Sequence, residues 1–173
     1  MLLRRPGSPR RRKIVLLIQI LIFFSLFIGL KLWMQREMIS GEAPEITTHL
    51  VSGETFSVRD LRGEVFLLHF WAEWCPICKA EQGAITSVAA RWPVITVAMQ
   101  SGDRLQVEDY LRQRQLEWKT IVDESGALAK RFGVSAVPAS FIIDKEGKIR
   151  FHEMGYTTSW GLRLRLWLAQ MLS

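Results

Sequence analysis

Phe70-Trp71-Ala72-Glu73-Trp74-Cys75-Pro76-Ile77-Cys78-Lys79-Ala80-Glu81 carries both cysteines of the chain, and its reading decides the fold. Upstream, Val65–Trp71 (VFLLHFW) is a nearly continuous apolar run, as a strand buried on both faces would be. Downstream, Ile85, Val88, Ala89 and Trp92 recur at i, i+3, i+4 and i+7, the period of a helix. The C-x-x-C pair therefore falls at a strand-to-helix junction, with Cys75 at or near the N-cap and Pro76 at the first helical position. Two intervening residues let one helical turn bring the sulfurs within disulfide range. Free N–H groups and the positive end of the helix dipole favour a thiolate at Cys75. Cys78, one turn inside, is expected to be more shielded. An exposed nucleophile with a shielded resolving partner suits thiol–disulfide exchange.

Three other readings compete. Structural zinc takes about four ligands, and beyond the two cysteines the chain offers only His49, His69 and His152. A static disulfide across four residues removes little chain entropy. Two inert buried thiols are the third.

Working outward, Ile46–Val51 and Glu54–Val58 flank Ser52-Gly53 as a hairpin. Val94–Met99 (VITVAM) reads as a second buried strand, and Gly102-Asp103 opens a polar helix through about Arg114. Lys119–Val122 is a short strand, and Ser125–Phe132 a short helix closed by Gly133. Ser140–Asp144 and Lys148–Glu153 are strands around the turn Lys145-Glu146-Gly147. Leu162–Leu166 alternates like a strand, but Leu164, Trp167, Leu168 and Met171 repeat like a helix that Ser159 could cap, and the helix is favoured. Trp92, Trp118, Trp160 and Trp167 are assigned to the core. Alternating strands and helices ending in a hairpin imply an α/β layered domain with a mixed sheet.

The chain has 173 residues, 49% of them hydrophobic, and a formal net charge of +6. Eight of its 23 basic residues and none of its 17 acidic ones lie in residues 1–36. The remainder is slightly acidic, so the positive charge belongs to the N-terminus and a nucleic-acid partner loses its main support. Ile14–Leu30 (IVLLIQILIFFSLFIGL) is free of charge. Extended to Met34, it would span about 31 Å as a helix, against a hydrocarbon core of about 30 Å. A cleaved signal peptide usually has a shorter apolar region closed by small residues, whereas Lys31–Glu37 is bulky and charged. The expected organisation is a cytoplasmic basic tail over 1–13, a single transmembrane anchor over 14–34, a polar linker over 35–45 and one folded domain over 46–173. The positive-inside rule keeps the tail in the cytoplasm, so in a bacterium the anchor lies in the inner membrane and the domain in the periplasm.

FWAEWCPICKAE resembles the active-site segment of thioredoxin-like disulfide oxidoreductases. Val58-Arg59-Asp60-Leu61-Arg62-Gly63, Asp123–Ala129, Phe132-Gly133-Val134 before Val137-Pro138, and Phe141–Ile149 are similar to the membrane-anchored TlpA/ResA branch, over roughly residues 42–170. Within it the anchor and the CPIC motif look most like ScsD-type suppressor-of-copper-sensitivity proteins. Cytochrome c maturation members usually carry an acidic residue after the conserved proline, where this chain has Ala139.

The resemblance implies a thioredoxin fold, a mixed central sheet flanked by helices with an N-terminal hairpin extension, preceded by one transmembrane helix. It implies a cis Pro138 packed against the disulfide, with the Val137 backbone turned outward to pair with an extended substrate segment. It places Glu81 near the active site, where a partly buried carboxylate could take the proton of Cys78. His69 stands where thioredoxins have a buried aspartate and this branch often has asparagine. It is either a neutral histidine bonded to the backbone or a titratable group that tunes the pair.

The expected catalytic residues are thus Cys75, Cys78, Glu81 and His69, and the expected substrate-binding residues Trp74, Pro76, Ile77, Val137 and Pro138. No metal and no organic cofactor are expected, since the Cys75–Cys78 disulfide is itself the redox group. The expected partners are protein thiols and disulfides, with a transmembrane thiol donor of the DsbD type, and the expected state is a monomer. The TlpA/ResA resemblance favours a reductant; an oxidant or isomerase, or a Cu(I)-binding module, are the alternatives.

Overall fold

The structure is a computed structural model and describes residues 9–173. Residues 1–8, most of the expected basic tail, lie outside the described residues. The chain divides after Arg36 into two units.

The first unit holds one helix, α1 (Pro9–Gln35). Its Arg11–Leu30 stretch is long and apolar enough to cross a membrane, and every side chain in it is exposed.

The second unit is Glu37–Ser173. Its strands are β1 (Gly41–Glu42), β2 (Thr47–His49), β3 (Thr55–Ser57), β4 (Phe66–Trp71), β5 (Val94–Met99), β6 (Lys119–Asp123), β7 (Ala139–Ile143) and β8 (Lys148–Met154). Its helices are α2 (Pro76–Ala89), α3 (Arg104–Gln113), α4 (Ala127–Arg131) and α5 (Ser159–Leu172). Six strands form one mixed sheet in the order β1-β8-β7-β4-β5-β6. β4 pairs in parallel with β5 and antiparallel with β7, which makes it central. All six of its side chains are buried, as its unbroken apolar run requires. Phe66, Leu68 and Phe70 face one core layer with Phe132 and Phe141, while Leu67 and Trp71 face the other with Cys75, Cys78, Ile85, Leu162 and Leu166. That second layer lies under α2 and α5.

β2 and β3 form the hairpin read at Ser52-Gly53, where Gly53 takes a positive φ of 87° that a side chain would resist. Val51 N–H donates to the Thr120 carbonyl at 2.8 Å, so the hairpin caps the otherwise free edge of β6. Gly133 ends α4 at φ +67°, and a Cβ there would fall 1.7 Å from the Glu37 carbonyl oxygen.

Three expectations change. Part of the stretch read as linker is built into the fold: Met38 is buried, and Gly41–Glu42 pairs with β8. Its few apolar residues, Met38, Ile39 and Ala43, are hidden among polar ones but suffice to pack. α5 is capped by Thr158, whose hydroxyl accepts the Gly161 N–H at 3.1 Å, and not by Ser159. α5 also buries Leu162, Leu166 and Ala169, while Leu164, Trp167 and Met171 point outward. Of the four tryptophans assigned to the core, Trp118 is buried, Trp92 is only half-buried against the same core layer, and Trp160 and Trp167 are 80% and 48% exposed. The helical period was right; apolar residues on both faces made the buried one ambiguous.

Candidate redox site

β4 delivers the chain into a short turn, where Cys75 N–H donates to the Ala72 carbonyl at 3.2 Å. Cys75 is the N-cap of α2 and Pro76 opens the helix. The Cys75 Sγ accepts the Cys78 N–H at 3.1 Å, one of the free amides of the first turn. Cys75 and Cys78 form a disulfide with their Cα atoms 5.3 Å apart. Sequence reasoning expected Cys75 to be the exposed member. In the disulfide the two are equally hidden, at 4% and 3% exposure. What separates them is the amide bonded to Cys75 and its position at the helix end, where the dipole favours negative charge.

The surface around the disulfide comes from its neighbours. Trp74 and Ile77 are 56% and 50% exposed, and Pro76 is exposed. The Val137–Pro138 peptide is cis. The Val137 carbonyl oxygen lies 3.5 Å from Cys75 Sγ, and Pro138 is buried, its carbonyl accepting the Gly155 N–H at 2.8 Å. Among the described residues the Val137 N–H makes no backbone hydrogen bond.

Glu81 is fully buried one turn beyond Cys78, on the inward face of α2. Its Oε1 accepts the Thr157 N–H at 2.9 Å, and among the described residues Oε2 has no hydrogen-bond partner. Burial pushes the carboxyl up to about 7, only partly offset by the Thr157 amide.

His69, in the middle of β4, shares a hydrogen bond with the Ser140 hydroxyl, Nδ1 to Oγ at 3.0 Å. Complete burial lowers its pKa to about 3, so it is neutral at physiological pH. Its partner is a side chain rather than the expected backbone, and it puts no positive charge beside Cys75 at neutral pH.

Sequence reasoning missed four supporting residues. Trp74 Nε1 donates to the Gln100 carbonyl at 3.0 Å, and Glu73 N–H donates to the Ser101 hydroxyl at 3.1 Å. The β5–α3 turn thus holds the loop that carries the motif, with Gln100 left-handed at φ +46°. The polar Gln100-Ser101-Gly102 after an apolar strand was the available signal. Thr157 and Ser140 left none, because their contacts join residues 76 and 71 apart in sequence.

Among the described residues no group of three or more histidine, cysteine and acidic side chains could hold a metal ion. A cavity of about 390 Å³ lined by Phe56, Trp92 and Trp118 includes Val94 at the start of β5, whereas the disulfide follows the end of the parallel strand β4.

Residues 39–152 match the AhpC/TSA family. The chain belongs to that family. It is 33% identical over 140 residues to a thioredoxin-like protein of Haemophilus influenzae, covering 80% of this chain and 83% of the relative. It is 26% identical over 140 residues to the thiol-disulfide oxidoreductase ResA of Bacillus cereus, covering 79% and 81%. The exposed lipoprotein thioredoxin of Streptococcus pneumoniae superposes with a TM-score of 0.67 at 25% identity, covering 72% of this chain and 99% of that one. The protein is a thioredoxin-like thiol-disulfide oxidoreductase of the ResA/DsbE type with a Cys75–Cys78 pair, in a family that acts on protein thiols and disulfides.

Proposed function

We propose that this member is a membrane-tethered reductant of protein disulfides, acting in the periplasm through Cys75 and Cys78. The observation that carries the chemistry is Cys75 at the N-cap of α2, with its sulfur accepting the Cys78 amide. The Cys75 thiolate attacks one sulfur of a substrate disulfide. A mixed disulfide forms and one substrate thiolate leaves. Cys78, losing its proton to Glu81, attacks Cys75 Sγ. The second substrate thiol is released, and the Cys75–Cys78 disulfide holds the two-electron oxidation. Trp74, Pro76 and Ile77 form the rim, and the Val137 N–H, which makes no backbone hydrogen bond among the described residues, offers strand-like pairing to an extended substrate beside Cys75.

The tether reading rests on α1, and α1 restricts the enzyme to partners near the membrane. A transmembrane thiol donor of the DsbD type would re-reduce the pair. The ScsD likeness rests on the anchor and the CPIC motif and gives the reading its link to copper tolerance.

Insulin reduction by the full chain in detergent micelles, with dithiothreitol as electron source, tests the enzyme reading. Turnover abolished by Cys75→Ser, and a mixed disulfide accumulating with Cys78→Ser, would support it. Stoichiometric Cu(I) binding without turnover would replace it with a metal carrier. Extraction of the native chain from membranes by alkaline carbonate would overturn the tether.

A further inference from the structure

The exposed large apolar side chains of the second unit fall in a few places. All but one of its exposed large apolar side chains lie beside the disulfide (Trp74, Ile77), in the turn before α5 (Tyr156), or on α5 itself. The exception is Leu105. On α5, Trp160, Leu164, Trp167 and Met171 are spaced i, i+4, i+7 and i+11, a single stripe opposite the buried Leu162, Leu166 and Ala169. The helix is apolar on two opposite faces, and only one is covered. Outward-facing tryptophans in such a stripe are the side chains that dominate interface energetics.

The N-terminal end of the stripe starts beside the redox site, where the Gly155 N–H donates to the Pro138 carbonyl at 2.8 Å. The Thr157 amide is bonded to Glu81, one turn from Cys78, and this fixes the 155–158 turn against α2. Thr158 then caps α5. On the opposite, buried face of α5, Leu162 lies in the same core layer as both cysteines, so the helix packs on the disulfide side of the sheet. The polar side chains flanking the stripe are Arg163, Arg165 and Gln170, and α5 carries no acidic residue. Met38 and Ile46, where the chain enters the unit, pack in the core layer on the opposite side of the sheet. An occupant of the stripe therefore approaches on the disulfide side and not on the side of chain entry.

Building on the oxidoreductase reading, we propose that the outward face of α5 docks the protein whose disulfide is exchanged. The segment it takes is the apolar flank of the partner's cysteine. The 14 residues of α5 are about 21 Å long. That length matches about six extended partner residues. The exchanged cysteine sits at Cys75 while its flank runs from Tyr156 along Trp160, Leu164 and Trp167. Specificity then comes from a surface separate from the C-x-x-C chemistry.

The test uses the full chain in detergent micelles and two synthetic peptides, each with one disulfide joining two ten-residue arms. One set of arms carries leucine and phenylalanine, the other serine and glutamine. The wild type is expected to reduce the apolar peptide with kcat/KM about tenfold higher, the scale of losing one interface anchor. Trp160→Ser/Trp167→Ser removes the preference while leaving reduction of oxidised glutathione unchanged, which also shows that the variant is folded. Absence of a preference, or its survival in the variant, overturns the proposal. Wild-type dimers that the double variant splits in sedimentation would assign the stripe to a second copy and overturn it. Quenching of tryptophan by brominated lipid, lost in the variant, would assign it to the bilayer with the same result. Failure to reduce any of the three disulfides would instead overturn the oxidoreductase reading itself.

Discussion

The carboxylate of Glu81 holds the amide of Thr157 at 2.9 Å while its second oxygen, also buried, is left without a partner among the described residues. One carboxylate thus locks the turn before α5 to the active-site helix and keeps an acceptor free one turn from Cys78. With its pKa raised to about 7 by burial, it can receive a proton near neutral pH. Glu81→Gln keeps the Thr157 contact but cannot accept the proton. The resolving step, measured by stopped flow on the mixed disulfide, is expected to slow by about 10²-fold and lose its inflection near pH 7. An unchanged profile would remove Glu81 from the proton path.

Glu81 and His69 make opposite contributions to stability against pH. Glu81 is raised from 4.5 to about 7, so the folded state holds the extra proton and stability falls as pH rises through that window. His69 is lowered from 6.5 to about 3, so the unfolded state holds the extra proton and stability falls as pH drops through that window. Between 4.5 and 6.5 the two nearly cancel. Relative to wild type, His69→Asn should add a downward slope with rising pH, and Glu81→Gln an upward one, each approaching about 1.4 kcal/mol per pH unit for one proton. Urea unfolding at several pH values measures both, and parallel curves would contradict the assignment.

His69 is also expected to leave the Cys75 thiolate alone. It is neutral and engaged with Ser140, so His69→Asn should shift the Cys75 titration little. A large shift, followed by thiolate absorbance, would restore the tuning role.

Ser101 holds the loop that carries the motif. Its hydroxyl accepts the Glu73 amide and donates to the Met99 carbonyl, both at 3.1 Å. Ser101→Ala should cost about 1–2 kcal/mol by leaving that amide unpaired. Denaturant unfolding checks the cost. Trp74 stays anchored to the Gln100 carbonyl, so insulin reduction should persist.

Gln115 is a stabilisation site. It follows α3 at φ +55°, with its N–H donating to the Arg112 carbonyl and the Leu116 N–H to the Leu111 carbonyl, a Schellman closure. Gln115→Gly removes a left-handed side-chain cost of about 1 kcal/mol, with a rise in thermal midpoint of a few degrees as the readout.

Local pattern carried much of this into the sequence. VFLLHFW read as a strand buried on both faces, and Cys75-Pro76 as the opening of a helix because the apolar period changed at Pro76. Long-range facts were hidden. The Thr157 contact to Glu81 depends on how a C-terminal turn meets α2, and no local pattern encodes it. Met38 and Gly41–Glu42 looked like linker because so short an edge strand has no period of its own. Trp160 and Trp167 looked like core because periodicity reports a helix's apolar residues, not which face the fold covers. The even burial of the two cysteines arises from the surroundings of the disulfide, beyond what a four-residue motif states.

The reduction potential of the Cys75–Cys78 pair, set by equilibrating the full chain with glutathione buffers, tests the reductant reading most directly. A value near about −270 mV, in the range of thioredoxin, is expected. A value near about −120 to −180 mV would make the protein an oxidant or isomerase and contradict it.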